Sequence, residues 1–326
     1  MTGGSLIGGV RAERVMISLV DMLGAECPVI EIVDVGALEV QGLPCTYAAL
    51  LRRPGLARVT GFEPVAGECE RLNARGDPGR RYLPYFIGDG SDGLFRVCDP
   101  PMTSSLYEPD LELCSRFFNL AELKRVVERI PVKTTRLDDV AEIARIDYLK
   151  MDIQGGELNA LIGGRERLRT ALVVDIEAEF VPLYKDQPLF ADVDRELRAQ
   201  GFVFHCFSGG GVGGRTFKPL PHPMSGFGAY TQALWADVVY VRDFMAFDRL
   251  SVEDLLRLAF VVNDVYGSYD LAAFALQEVD RRDGGDRANR FMKAFMRAFT
   301  TWYNRQEIAR AKAEGREPRL ESIPED

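Results

Sequence analysis

The chain has 326 residues, 47% of them hydrophobic and 27% charged, a globular composition long enough for one large domain or two ordinary ones. Forty-nine Asp and Glu against forty Lys and Arg give a net charge of −9, which argues against a protein that coats nucleic acid. Six scattered cysteines with no CxxC pair, and only two histidines, His205 and His222, exclude a disulfide framework and a zinc or His-rich metal centre.

Residues 1–28 read as a helical lead-in. They lack the cationic start and long apolar stretch of a secretory signal, and no apolar run in the chain approaches the ~18 residues of a membrane span. A soluble, cytoplasmic protein with no membrane span is expected. From residue 29 strands and helices alternate. VIEIVDVG (29–36) is a buried strand ending in glycine, CTYAALLRR (45–53) a helix stopped by Pro54-Gly55, and ARVTGFEP (57–64) a second strand. VAGECERLNARG (65–76) is the next helix, and RRYLPYFIGDG (80–90) is a third strand running into a Gly-Asp-Gly turn.

Residues 93–110 break the rhythm with a short strand and a Pro/Ser/Thr loop, and VVERIPVKTTRL is rich in β-formers. Helix is expected again at 137–144. IDYLKMDIQGGE, ALVVDIEAEF and FVFHCF supply strands four to six, an amphipathic helix (189–200) precedes the sixth, and LWADVVYVRD (234–243) closes the unit. GGGVGG (209–214) lacks the Gly-Lys-Ser/Thr ending of a phosphate loop and is expected to be a flexible flap. Beyond residue 246 only helical periodicity is found. The three expected divisions are 1–28, an α/β domain over 29–245, and a helical extension over 246–326.

Ligands of an open parallel sheet bind beyond the carboxyl ends of its strands. Each of the first five strands delivers a carboxylate there: Asp34 before Gly36-Ala37, Glu63 before Pro64, Asp89 before Gly90, Asp152 two residues before Gln154, and Glu177 with Glu179. An acid after the second strand can accept both hydrogen bonds of a ribose diol, a glycine after the first lets backbone approach a ligand, and an acid after the third can face an adenine edge. In this order they point to an adenosyl cofactor. Glu177 and Glu179 are expected on opposite faces, with Glu177 in the cleft. Asp152 at the mouth of the central strand and Glu177 are the candidate catalytic bases. Thr103, Ser104, Ser105 and Tyr107 offer hydroxyls to a polyol from a substrate lid.

These residues also resemble a known family. TTRLDDVAEIARIDYLKMDIQGGELNALIGG (134–164), EAEFVPLYKDQPLFADVDRELRAQGF (177–202), VDVGA (33–37), GFEP (61–64) and LWADVVYV (234–241) are similar to the FkbM-type methyltransferases. The resemblance implies an α/β, class I methyltransferase (Rossmann-like) fold with a seven-stranded, mostly parallel sheet. It also implies S-adenosyl-L-methionine as cofactor and methyl transfer to a hydroxyl of a small-molecule or glycan acceptor. By position Asp34, Gly36 and Ala37 would hold the methionine and ribose end, Glu63 with Pro64 the ribose, and Asp89 with Gly90 the adenine. Asp152 and Gln154 would lie where cofactor and acceptor meet. The first loop departs from the family's Gly-Ala-Asn-x-Gly, reading Gly36-Ala37-Leu38-Glu39-Val40-Gln41-Gly42.

Two other readings compete: a non-catalytic adaptor that kept the fold, and a nicotinamide-dinucleotide dehydrogenase, for which the G-x-G-x-x-G turn is missing. No metal is expected, since no dense Asp/Asn cluster occurs, and no nucleic-acid partner. The extension carries an aromatic stripe, Phe291, Phe295, Phe299 and Tyr303, within a segment of nine basic and four acidic residues (286–319). It is expected to pack on the α/β domain and to join two copies as a homodimer, with a frayed tail after Pro318.

Overall fold

The computed structural model describes residues 17–37, 45–220 and 232–324. By contacts the chain divides into two compact units. One holds Val29–Cys45 and Ala57–Phe244; the other holds Thr46–Leu56, Met245–Asp326 and the segment that ends at Pro28. The helical unit thus draws in two earlier segments that a division read along the sequence keeps apart from it.

In the helical unit, α1 (Leu19–Leu23) and the short α2 (Ala48–Leu51) accompany the C-terminal helices. In the α/β unit, β1 (Ile30–Val35), β2 (Ala57–Phe62), α3 (Ala66–Ala74) and β3 (Arg80–Leu83) form the first half of the sheet. There follow β4 (Asp92–Asp99), α4 (Leu111–Cys114), α5 (Leu120–Leu123) and β5 (Arg125–Lys133). The second half is β6 (Tyr148–Met151), α6 (Glu157–Ile162), β7 (Val173–Glu179), α7 (Phe190–Ala199), β8 (Phe202–Gly213) and β9 (Trp235–Arg242).

The seven strands lie in the order β3-β2-β1-β6-β7-β9-β8, all parallel except β9, which runs antiparallel to both neighbours. This is the seven-stranded, mostly parallel sheet that the resemblance implies. Its central strands are covered on both faces: Ile32, Val33 and Val35 of β1, Leu149 and Met151 of β6, and Val174 and Ile176 of β7 are buried apolar residues, while the other face of β7 holds the buried carboxylates Asp175 and Glu179. The strand order turns back between β1 and β6, so a crevice opens there beyond the carboxyl ends.

Two local expectations are corrected. The GGGVGG stretch is no flap through Gly213, because β8 continues to that residue and pairs Val212 with Ala236 and Gly213 with Trp235. Residues 137–144 hold only a single 3-10 turn, Leu137–Asp139. The short strand and the β-rich stretch expected in this region are β4 and β5, which pair as a separate two-stranded antiparallel hairpin with a long connection, eight residues in β4 and nine in β5. The Leu38–Gly42 part of the first loop and His222 lie outside the described residues.

The helical unit ends in α8 (Val252–Asp264), α9 (Tyr269–Asp283) and α10 (Arg287–Glu314). The buried Asp264 accepts hydrogen bonds from the Leu19 and Val20 backbone, the Ser18 hydroxyl and the Asn263 amide, and so caps α1 from α8. Gly284 and Gly315 take left-handed backbone that stops α9 and α10. The tail beyond is not frayed. It folds back along α10, with Arg316 paired to Glu307 at 2.6 Å and Glu321 and Asn304 exchanging two hydrogen bonds of 2.8 and 2.9 Å.

Candidate active site

A cavity of about 510 Å³ opens at the carboxyl ends of β1, β2 and β6. Its sheet side is built from Gly36, Glu63, Pro64, Asp152 and Gln154. The β1 and β6 ends are held edge to edge, the Asp152 amide donating to the Val35 carbonyl at 3.0 Å. A Cβ on Gly36, which has φ +85°, would lie 2.0 Å from the Asp152 carbonyl oxygen, so only glycine permits this approach. Glu63 is 5% exposed; its Oε1 accepts from the Val65 amide at 2.9 Å and closes its own turn. Among the described residues its other oxygen has no hydrogen-bond partner, and burial raises its carboxyl above the usual range.

Five of the proposed residues therefore converge, and the others do not line the cavity. Asp89 spends Oδ1 on the amide and hydroxyl of Ser91, which hold its carboxyl below the usual range, and Gly90 donates to the Thr134 hydroxyl at 3.0 Å. Ala37 is packed in a small core with Cys69, Leu72 and Tyr82. Asp34 is half-buried on β1 next to Cys45. His205 is half-buried on β8.

Behind the cavity wall stands a polar network centred on Gln154. This residue has φ +57°, left-handed backbone that costs a non-glycine residue on the order of 1–3 kcal/mol. Its amide nitrogen donates to Asp152 Oδ1 at 3.0 Å and to Glu177, its amide oxygen accepts from the Tyr184 hydroxyl at 2.9 Å, and its carbonyl accepts from the Ser105 hydroxyl at 2.6 Å. Tyr184 in turn accepts from the buried ammonium of Lys124 at 2.6 Å. Burial pushes Glu177 well above the carboxylate range, with Asp152 and Glu179 adding repulsion, and brings Glu179 up to about 7. Burial lowers Lys124, against the pull of Glu179 and Glu177.

The expectation that Glu177 and Glu179 face opposite ways is wrong on elementary grounds, because residues two apart on a strand share a face. Both feel Asp152. Glu177 does not line the cavity and is linked to it through the Gln154 amide. Glu157, fully buried, accepts from the Ile153 and Gly155 amides at 2.8 Å each and serves the turn.

The opposite wall is apolar except for the carboxylate of Glu128. Phe95 and Val97 of β4 stand across from Ile130 and Glu128 of β5, and all four line the cavity. Phe95 meets Phe86 edge-on at 4.9 Å. The expected lid does reach the cavity, but chiefly with Pro101, Met102 and Leu106 besides Ser104. The Thr103 hydroxyl is spent on the Pro100 and Leu123 carbonyls. Sequence reasoning misses Tyr184, Lys124 and this hairpin wall. The PLY motif around Tyr184 is the one available signal.

Comparison with protein families matches residues 34–204 to the methyltransferase FkbM domain. No curated protein matches the sequence. Among solved structures, the methyltransferase FkbM of Methylobacillus flagellatus KT shares 16% identity over 65% of this chain, with a TM-score of 0.34, and the match spans only 43% of that longer chain. Magnesium protoporphyrin IX methyltransferase of Synechocystis PCC 6803, with bound SAM, shares 12% over 69% of this chain and 76% of its own, TM-score 0.35. The N-terminal domain of EvdMO1, solved with SAH and D-fucose, shares 10% over 65% and 76%, TM-score 0.31.

Proposed function

This chain belongs to the FkbM methyltransferase family, and on that premise we propose that it transfers a methyl group from S-adenosylmethionine to a hydroxyl of a sugar, glycan or secondary metabolite. The observation that carries the reading is the convergence of Gly36, Glu63, Asp152 and Gln154 on one cavity at the switch point of the sheet. The donor set fits the cofactor. The unpaired Glu63 oxygen suits a ribose diol, Gly36 admits backbone contact, and Val65, Phe86 and Ile87 offer an apolar slot for a base.

When bound, S-adenosylmethionine supplies a methyl already activated on a sulfonium, so the protein's task is alignment and proton removal. Alignment can contribute about 7–11 kcal/mol in favourable models. Asp152 is the base on the cavity wall: it takes the proton that the acceptor hydroxyl loses, a step worth roughly 10²–10⁴ in rate. Gln154 fixes the Asp152 carboxylate, and Glu177 and Tyr184 fix Gln154, as positioning residues. The hairpin wall, with Phe95, Val97 and Ile130 beside the carboxylate of Glu128, supports an acceptor with a hydrophobic face and polar edges, such as a sugar ring.

Calorimetric titration with S-adenosylmethionine and S-adenosylhomocysteine tests the reading. Saturable binding is expected for both. Absence of heat from either at millimolar concentration would leave an adaptor that kept only the fold.

A further inference from the structure

Among the described residues, the helical unit leaves a surface of α10 uncovered. Met292, Met296, Phe299 and Tyr303 follow the i, i+4, i+7, i+11 pattern of one helix face, and all four are exposed, Met292 by 48% and Phe299 by 39%. Trp302 flanks them at 46% exposure. Only Phe291 of the original aromatic stripe is buried. The rings form a run, Tyr269 to Phe295 at 4.9 Å, Phe295 to Phe299 at 6.0 Å and Phe299 to Trp302 at 5.9 Å. A shallow groove of about 270 Å³ between Tyr269, Ala273, Met292 and Phe295 continues it.

Charge is segregated onto the same helix. Residues 287–306 contain Arg287, Arg290, Lys293, Arg297 and Arg305 and no acid, whereas the rest of the chain holds 35 basic against 49 acidic residues; Arg287 is paired with Glu26, Asp280 and Asp283, and Arg290 with Glu26. Lys293 and Arg305 are exposed and form no ion pair among the described residues.

We propose that this face of α10 docks the protein on an anionic lipid surface, lying in the headgroup plane with its rings and methionines inserted. Two arguments favour lipid over a second copy. Three aromatics at these exposures, with the two methionines, offer roughly 400 Å², about half of the ~800 Å² per partner that a stable dimer buries. An isologous contact of α10 with itself would also bring the Lys293 and Arg305 charges of one copy toward those of the other, whereas anionic headgroups complement them. Trp and Tyr near one end of the stripe, with Lys and Arg flanking it, match the composition of helices that lie in the bilayer interface.

The test is cosedimentation of the full chain with vesicles of phosphatidylcholine alone and with an equal amount of phosphatidylglycerol. Binding is expected only with phosphatidylglycerol, weakening steeply at molar salt. A blue shift of tryptophan emission that disappears in Trp302→Phe is expected with it. Phe299→Glu/Trp302→Glu should bind about tenfold more weakly or worse, and Lys293→Gln/Arg305→Gln several-fold. All four side chains are exposed, and unchanged melting of both variants would show that the fold is intact. No preference for phosphatidylglycerol, or undiminished binding by Phe299→Glu/Trp302→Glu, would overturn the proposal. So would light scattering that finds a dimer which this variant converts to a monomer, since a second copy would then cover the stripe.

Discussion

Asp264 in the helical unit and Glu177 in the α/β unit are both largely desolvated carboxylates, yet their oxygens are met by different donors. Asp264 is filled by two backbone amides, a hydroxyl and a side-chain amide that belong to the start of α1 and the end of α8. Nothing remains for a ligand, and the group serves to join segments 245 residues apart. Glu177 and Asp152 instead share one amide, that of Gln154, which is itself oriented by Tyr184. Burial alone therefore does not mark a functional acid. An acid whose donors are fixed backbone is structural, and one held by a side chain with a second task retains capacity for chemistry.

The sharpest break of this comparison comes from Asp264→Ala. It orphans buried donors at the α1 terminus and should cost about 3 kcal/mol of stability, read as a lower urea midpoint with unchanged slope. Affinity for S-adenosylhomocysteine should not change. A loss of affinity equal to that of an active-site variant would erase the distinction between the two acids.

Glu63→Ala should behave oppositely. The second oxygen of Glu63 is placed on the cavity wall to accept from a diol, and two charge-assisted hydrogen bonds are worth roughly 10–100-fold in affinity. Calorimetry should show that loss with a melting temperature close to the parent's. An unchanged dissociation constant would assign Glu63 to its Val65 turn alone.

Tyr184→Phe sharpens the comparison on a smaller scale. The variant removes the hydroxyl between the Lys124 ammonium and the Gln154 amide oxygen without changing shape. Gln154 is then free to rotate its amide away from Asp152 and Glu177. Affinity for the cofactor should fall about three- to tenfold, the equivalent of one hydrogen bond of about 1 kcal/mol, and its pH dependence should change as well. A purely structural Tyr184 would lower stability and leave that pH dependence alone.

Much of the scaffold is legible in the sequence, for physical reasons. Central strands buried on both faces, such as β1, β6 and β7, read as short apolar runs, and the residue that ends each run marks its carboxyl end. Gly36, Glu63, Pro64, Asp152 and Gln154 are all reached this way. Asp89 misleads because an Asx turn looks the same in sequence as an acid facing a ligand: both are Asp before Gly. The hairpin wall is hidden because Phe95, Val97 and Ile130 alternate with Arg96 and Arg129, a pattern that does not say which face meets a cavity. Lys124 and Tyr184 meet across 60 residues of chain, and no local spacing announces such a pair.

The most gradual expected effect, spread over several pH units, and the one that joins the two kinds of acid, is the pH dependence of stability without cofactor. Glu179 moves from an ordinary 4.5 to about 7 in the folded protein, and Glu177, Glu63 and Asp264 are also raised by burial. Between pH 4.5 and 7 the native state therefore binds more protons than the unfolded chain. Stability must then fall as pH rises through that window, by at most about 1.4 kcal/mol per pH unit for each proton. Acids with the opposite shift, Asp89 and Glu108 among them, are stabilised as anions by hydroxyl or guanidinium partners, and their contribution is lost only as pH drops through and below the normal carboxylate range. The melting temperature should accordingly peak near pH 5 and decline toward pH 8. Glu179→Gln removes a titrating group but keeps the shape, so its decline should be shallower, whereas Asp89→Asn should leave the slope between pH 5 and 8 untouched. A parent melting temperature that rises from pH 5 to pH 8 would mean that these carboxyls are already ionised in the fold, and that Lys124 neutralises Glu179 more completely than its burial suggests.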